Sequence, residues 1–340
     1  MLRVKNLFNL TGDKLRTLPL LVLYITDGCN SRCQSCDIWQ NPRRNMPMQL
    51  VESIAETCVE LGVRWVLLSG GEAMQHPEWD KIARIFSEQG VHVMLLTNGL
   101  LLKKQAQMVI DSVDEVIVSL DGGNAKTYET LRGVDAFDLI LEGIDAVKKG
   151  HIPVTIRTTV QQANFREIPQ IIDVGIQHQV DTISFLAIDV SNPFAFGDRD
   201  TEDNTGQLSL LEIDELEGII KDMSQIYSEQ FASGQIAESP AKLHRILTQY
   251  FRALQGVGTF ERPKCNAPHF STVIEVDGRL RPCYFLPTYG RLQPTGERLP
   301  EAINWSVAQD LRNAYRKGQR VECEKCVCPL YKGARDLLRM

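Results

Sequence analysis

The chain of 340 residues lacks a long apolar run. Its most apolar early stretch, Leu18 to Ile25, is short, is interrupted by Pro19, and runs into polar residues where a leader would carry a small-residue cleavage site. A bilayer span takes about 20 apolar residues, so neither a membrane helix nor a signal peptide is expected, and the location expected is cytoplasmic. Positive charge is not in excess either. Against 43 acidic residues stand 37 basic ones, a net charge of −6, which leaves no field to hold nucleic acid or an anionic membrane by counterion release. There is no internal repeat and no low-complexity segment. The nine cysteines are odd in number and sit in tight local groups, unlike a disulfide framework with its spread pairs. Reduced thiols that hold metal are the better reading.

What is present is a β/α rhythm. Short apolar runs rich in β-branched residues, bounded by turn residues, fall at Leu20–Ile25, Trp65–Ser69, Val91–Thr97, Glu115–Leu120, Val154–Val160 and Thr182–Ala187. Amphipathic stretches such as Leu50–Leu61, Pro77–Glu88 and Phe137–Lys149 separate them. Six such units predict a parallel sheet with right-handed crossovers. The rhythm stops after Asp189, and Ser191–Gln207, rich in Asn, Pro, Gly and Asp, predicts a loop or boundary. Helical patterns follow at Leu210–Gln230 and Ala241–Leu254. Beyond Phe260 a hairpin is expected, Ser271–Val276 and Leu280–Pro282 turned by Asp277-Gly278. The division is therefore an extension over 1–19, an α/β core over 20–190, a loop and helical linker over 191–259, and a small cysteine-rich region over 260–340.

Ligands of α/β sheets gather at the carboxyl ends of the strands. Directly after the first run the chain reads Cys29-Asn30-Ser31-Arg32-Cys33-Gln34-Ser35-Cys36, a CxxxCxxC triplet. Three thiolates at this spacing reach three corners of one cubane cluster. Such clusters usually take four cysteines, and no fourth lies nearby, so one iron would stay open for a non-protein ligand. The alternatives are a zinc site or unligated thiols. Zinc prefers four ligands and CxxC pairs, and the nearest histidine, His76, is remote in sequence, so the spacing favours the cluster.

Here the chain resembles the radical S-adenosylmethionine (SAM) superfamily, whose hallmark is this triplet after the first strand of a partial (β/α)6 barrel. The likeness covers about Leu20–Ala187 and continues in order after successive strands. Ser69-Gly70-Gly71-Glu72 looks like the family's GGE motif, and Thr97-Asn98-Gly99 and Ser119-Leu120-Asp121-Gly122 fall where the family places SAM contacts. The resemblance implies that Gly70, Gly71, Glu72, Thr97, Asn98, Ser119 and Asp121 border SAM, with Arg157 pairing with its carboxylate, which guanidinium matches geometrically. Singly, each is also an ordinary turn or ion pair. The residue before the third cysteine, often aromatic in the family, is Ser35 here, leaving Tyr24 or Trp39 as substitutes.

The tail holds Cys265, Cys283, Cys323, Cys326 and Cys328. Between the first two lie twelve residues, Gly278 and four more, and the later ones read CxxCxC. This resembles the auxiliary-cluster region called SPASM or, shortened, twitch. A full SPASM region carries seven cysteines for two clusters, so five match the single-cluster form, with Cys265, Cys283, Cys323 and Cys326 as ligands. Cys328 is then spare: a packed small hydrophobe, a replacement for Cys326, or a hydrogen donor. A zinc ribbon is the competing reading, and the upstream triplet turns the balance to a cluster. Cys58 reads as a core residue on a helix face.

The resemblance thus implies a [4Fe–4S] cluster with an open iron, SAM, an auxiliary [4Fe–4S] cluster, and an electron donor such as a flavodoxin or ferredoxin. The expected activity is removal of hydrogen from a small hydroxylated or amino-bearing substrate, the auxiliary cluster taking the remaining electron. Candidate bases near the strand ends are Asp189, His269 and Tyr284. The second expectation is modification of a ribosomal peptide; with only about nineteen residues before the first strand, it would need a separate peptide carrier. A third, from another class, is a non-catalytic iron–sulfur or zinc scaffold, against which the GGE and SLDG segments argue.

Overall fold

The computed structural model describes residues 2–197 and 205–339. Residues 198–204, part of the expected Ser191–Gln207 loop, lie outside the described residues. Six strands, β1 (Leu20–Thr26), β2 (Trp65–Gly70), β3 (His92–Thr97), β4 (Glu115–Ser119), β5 (Val154–Val160) and β6 (Thr182–Ala187), pair in parallel in sequence order. Burial alternates along β1 and β3. Leu21, Leu23 and Ile25 are wholly buried, whereas the interleaved Val22 and Tyr24 face the less crowded interior of the curl. The parallel sheet follows from the crossover helices between strands, which cover its outer face.

The cysteine-rich region over 260–340 joins the core through the sheet. Its hairpin, β7 (Ser271–Ile274) and β8 (Arg279–Arg281), continues the same sheet, β7 pairing in parallel with β1. A short β9 (Gly290–Arg291) closes that edge, giving nine strands in the order β6-β5-β4-β3-β2-β1-β7-β8-β9. The physical reason is edge satisfaction: β1 would otherwise present a row of unpaired backbone groups to solvent. The antiparallel β8 returns the chain to the amino end of β7, where the Ser271 hydroxyl meets the Pro282 carbonyl at 3.5 Å.

Other boundaries shift. The expected Leu50–Leu61 helix is two, Met48–Ala55 and Cys58–Leu61, and Cys58 is buried in the core as read. The expected Ala241–Leu254 helix contains a π-helical turn, His244–Gln249, that packs on β6. The amino-terminal segment forms a helix, Leu2–Phe8, lying along the last helix, Ala334–Arg339, with Asn6 donating to the Leu337 carbonyl at 2.8 Å. Arg312, fully buried, ties this end together by donating to the carbonyls of Pro268 at 3.1 Å, Asp13 at 2.6 Å and Ile303. No described helix is long and apolar enough to cross a membrane.

Candidate radical site and auxiliary cysteine group

The triplet lies in the loop that leaves the carboxyl end of β1. Two of its amides are capped by a neighbouring helix, Ala125–Arg132: Arg32 N–H donates to the Arg132 carbonyl at 3.0 Å and Gln34 N–H to that of Leu131 at 3.1 Å. The helix ends on Gly133 in the left-handed region, φ 66°, as helix ends commonly do. A Cβ there would lie 2.6 Å from the Arg32 carbonyl oxygen, so only glycine lets helix and loop meet. From the same turn Arg132 reaches two ways. It donates to Cys33 Sγ at 3.6 Å and forms an ion pair with Asp121 at 2.7 Å, with the two side chains 12% and 5% exposed. Asp121 also accepts the Thr159 amide at 2.7 Å. Burial works against the Arg132 charge, but Asp121 and Cys33 outweigh it and hold the guanidinium protonated.

The GGE segment meets its own chain first. Gly71 N–H donates to the Thr26 carbonyl and Glu72 N–H to that of Gly28, both at 2.8 Å. Cβ atoms on Gly70 and Gly71 would fall 2.2 and 2.5 Å from the Thr26 and Gly28 carbonyl oxygens, so these glycines let the loops after β1 and β2 touch. Glu72 is buried and fully engaged. It accepts from the Thr97 hydroxyl at 2.8 Å and the amides of Met74 at 3.1 Å and Asn98 at 2.7 Å. Burial pushes its carboxyl up, and those donors pull it back. Asn98, thus oriented, directs its Nδ2 at the triplet loop: Asn30 Oδ1 at 2.8 Å, Ser31 Oγ at 3.1 Å and Cys29 Sγ at 3.9 Å. Glu72 and Thr97 therefore hold the loop of β3, and Asn98 hands that order on to the cysteines.

Ser119, Arg157 and Ser184 stand in one register row across β4, β5 and β6. Arg157 Nε is buried without a hydrogen-bond partner. A buried donor left unpaired is costly, so this atom fits an anionic group of a ligand. Beyond it, Glu238, also buried, accepts from the Ser184 hydroxyl at 3.1 Å, the Phe185 amide at 2.9 Å and Lys242 at 3.4 Å.

All nine cysteines are free. Burial raises Cys29 to about 11, with Glu72 and then Cys33 adding, and Cys36 to about 12, with Cys33 and Cys29 adding. In the tail, burial likewise raises Cys323 to about 11 and pushes Cys283, Cys326 and Cys328 up, with Cys265 adding to each. The five tail cysteines thus form one group, at the amino end of β7, while the triplet sits at the carboxyl end of β1. Cys328 does not stand apart from its four neighbours; it lies on the side that senses Arg157, Lys242 and Glu238. Among the described residues no three His, Cys, Asp or Glu are drawn together to hold a single metal ion. The fit to a cluster rests on donor chemistry: three soft thiols in one place, four or five in the other.

The three candidate bases separate. Tyr284 converges on the triplet: its ring lies 5.4 Å from that of Tyr24, and it is close enough to Cys36 for the thiol to disfavour its ionisation, after burial. Asp189 shapes a turn, Oδ1 accepting the amides of Ser191 at 2.9 Å and Asn192 at 2.8 Å. His269 is not at the triplet. It precedes β7 at the amino end of the sheet, its carbonyl bonded by Asn9 at 2.9 Å and its ring 5.7 Å from Tyr315. The reason is the hairpin's parallel register with β1, which puts residue 269 beside the start of that strand. Of the aromatic substitutes for Ser35, Tyr24 is engaged with Tyr284, and Trp39 lies under Arg32 at 6.0 Å.

His269 has a measurable consequence. Burial first, then Arg312 and Arg316, lower its imidazole to about 4. The unfolded chain would protonate this ring near 6.5. Between pH 6.5 and 4 the unfolded state therefore binds more protons, and stability is lost as pH falls through that window. The expected loss is on the order of 3 kcal/mol. Denaturant unfolding of the chain and of His269→Asn across pH 4–7 checks it: the variant should be flatter.

Arg132 is a site residue that motif reading missed. A basic residue before a glycine signals only a helix end, and nothing local ties it to cysteines a hundred positions earlier.

A parallel partial barrel with a cysteine triplet at its carboxyl ends defines a class, and residues 23–174 match the profile of the Radical SAM superfamily. Those residues, a little under half of the chain, are thus similar to a radical SAM domain. Among relatives, the chain is 31% identical over 164 residues to the AdoMet-dependent heme synthase of Methanosarcina barkeri, covering 46% of this chain and 47% of that protein. It is 28% identical over 178 residues to the probable GTP 3′,8-cyclase of Sulfurisphaera tokodaii, covering 51% and 57%. The chain thus spans about half the length of these curated relatives. Streptococcus suis SuiB, solved bound to SAM, has the same fold, with a TM-score of 0.68 at 16% identity over 97% of this chain and 76% of that one.

Proposed function

We propose that Cys29, Cys33 and Cys36 hold the radical cluster, that Cys265, Cys283, Cys323 and Cys326 hold an auxiliary one, and that the enzyme oxidises a small hydroxylated or amino-bearing substrate. The observation that carries this is the orphaned Arg157 donor, which faces the interior from the same register row as Ser119. A cluster held by Cys29, Cys33 and Cys36 would supply one-electron reduction to bound SAM, the chemistry that hydrogen removal from an unactivated substrate position requires. The chain's own contribution is positional. Arg157 pairs with the SAM carboxylate, Arg132 offsets the charge of the Cys33 thiolate, and Glu72 with Asn98 keeps the loop after β3 in register with the cysteine loop. Glu238, Lys242 and Ser184 furnish hydrogen-bonding groups for a polar substrate.

A peptide substrate is the second reading, since SuiB was also solved bound to its precursor peptide SuiA. Anaerobic reconstitution with iron and sulfide tests the cluster assignments. About eight iron atoms per chain are expected, with 5′-deoxyadenosine formed from SAM on reduction. Zinc in place of iron rejects the reading, and a substrate product of unchanged oxidation state rejects the oxidative part of it.

A further inference from the structure

The two cysteine groups are joined by a short, continuous chain of bonds. Asp37, next to Cys36, donates its amide to the Phe196 carbonyl at 2.8 Å. Phe196 donates its own amide to the Tyr284 hydroxyl at 2.7 Å, and Tyr284 follows Cys283 in the chain. Phe196 makes both bonds from the left-handed region, φ 65°, which a residue with a Cβ seldom occupies unless its surroundings impose it. Its neighbour Gly197, φ +88°, approaches so closely that a Cβ would lie 2.8 Å from Asp37 C and Ile38 N. The loop is anchored on the other side too, Asn192 donating to the Phe285 carbonyl at 3.0 Å and Arg281 donating to the carbonyl of Phe194. Tyr284 is enclosed by the rings of Tyr24, Phe196 and Phe285 at 5.4, 5.2 and 5.2 Å.

Backbone strain, a glycine with no room for a methyl group, and a buried tyrosine ring thus converge on one connection. We propose that Phe196 and Tyr284 form a bridge that sets the spacing of the two cysteine groups and carries one electron between them. The proposal rests on the reading that both groups hold clusters. In the step it serves, the auxiliary cluster is oxidised by one electron and the triplet cluster reduced by one. No bond breaks and no proton changes site. Two hydrogen bonds and one phenol ring conduct better than the same distance across loosely packed side chains, which is what the strain at Phe196 secures.

The test uses the full reconstituted chain, one-electron reduced, with redistribution between the two clusters followed by freeze-quench electron paramagnetic resonance. Tyr284→Phe keeps the ring and removes the acceptor for the Phe196 amide; Gly197→Ala forces the loops apart. Each should keep its iron and slow redistribution at least tenfold, and Tyr284→Phe should speed hydrogen exchange at the Phe196 amide. Full iron with an unchanged redistribution rate in both variants overturns the bridge and leaves the cluster reading standing. Wild-type tail cysteines without iron overturn the cluster reading, and the bridge with it.

Discussion

Replacing Cys29, Cys33 and Cys36 together with alanine should abolish reductive cleavage of SAM, dropping 5′-deoxyadenosine formation at least ~10³-fold, on the order of 4 kcal/mol or more in the barrier. The loss should be chemical and not structural. The three residues are only partly buried and lie in a loop whose order comes from elsewhere: the carbonyls of Leu131 and Arg132 hold its amides, and Asn98 holds Asn30 and Ser31. Circular dichroism and the thermal midpoint of the unloaded protein should therefore match the parent closely, while the iron count falls by about four. The tail group, at the other end of β1 and β7, should keep its share. Each single alanine variant should be almost as inactive as the triple, because two thiolates cannot hold the cluster in one orientation. Undiminished turnover in the triple variant would sink the assignment of this loop.

The sheet was legible because its signal is local. All six core strands lie within a residue or two of their apolar runs, since period-two alternation and bounding glycines need no knowledge of the rest of the chain. The cysteines were legible for the same reason, since spacing along the chain carries the chemistry. What sequence could not convey was partnership across distance. Nothing in Ser271–Ile274 says that it will pair with β1, because an edge strand's choice of neighbour depends on what remains uncovered once the barrel has curled. The place of His269, beside the start of β1 and away from the triplet, follows wholly from that register. The resemblance implies that the glycines of the GGE segment border SAM; what their missing side chains leave room for is the carbonyls of Thr26 and Gly28. The π-helical turn at His244–Gln249 and the strained Phe196 have no composition signature at all.

Arg132 offers the largest stability effect outside the core. Arg132→Ala removes the counter-ion of Asp121, whose side chain is 5% exposed and whose carboxyl burial already pushes up, opposed by Arg132 and the Thr159 amide. Breaking a buried pair from one side typically costs about 3–5 kcal/mol, because the surviving group stays buried and uncompensated. The helix end that caps Arg32 and Gln34 is the same turn, so the loss falls on the cysteine loop as well. Unfolding in urea should therefore show a lower midpoint, and the reconstituted variant should also lose cleavage activity. The double variant Arg132→Met with Asp121→Asn separates the two consequences. Two uncharged side chains of similar volume no longer demand desolvation of a lone charge, so most of the stability should return. Activity should not return, because Cys33 still lacks its donor and its thiolate the nearby positive charge. Recovery of both in the double variant would make Arg132 a purely structural residue; recovery of stability alone gives it a share in holding the radical site.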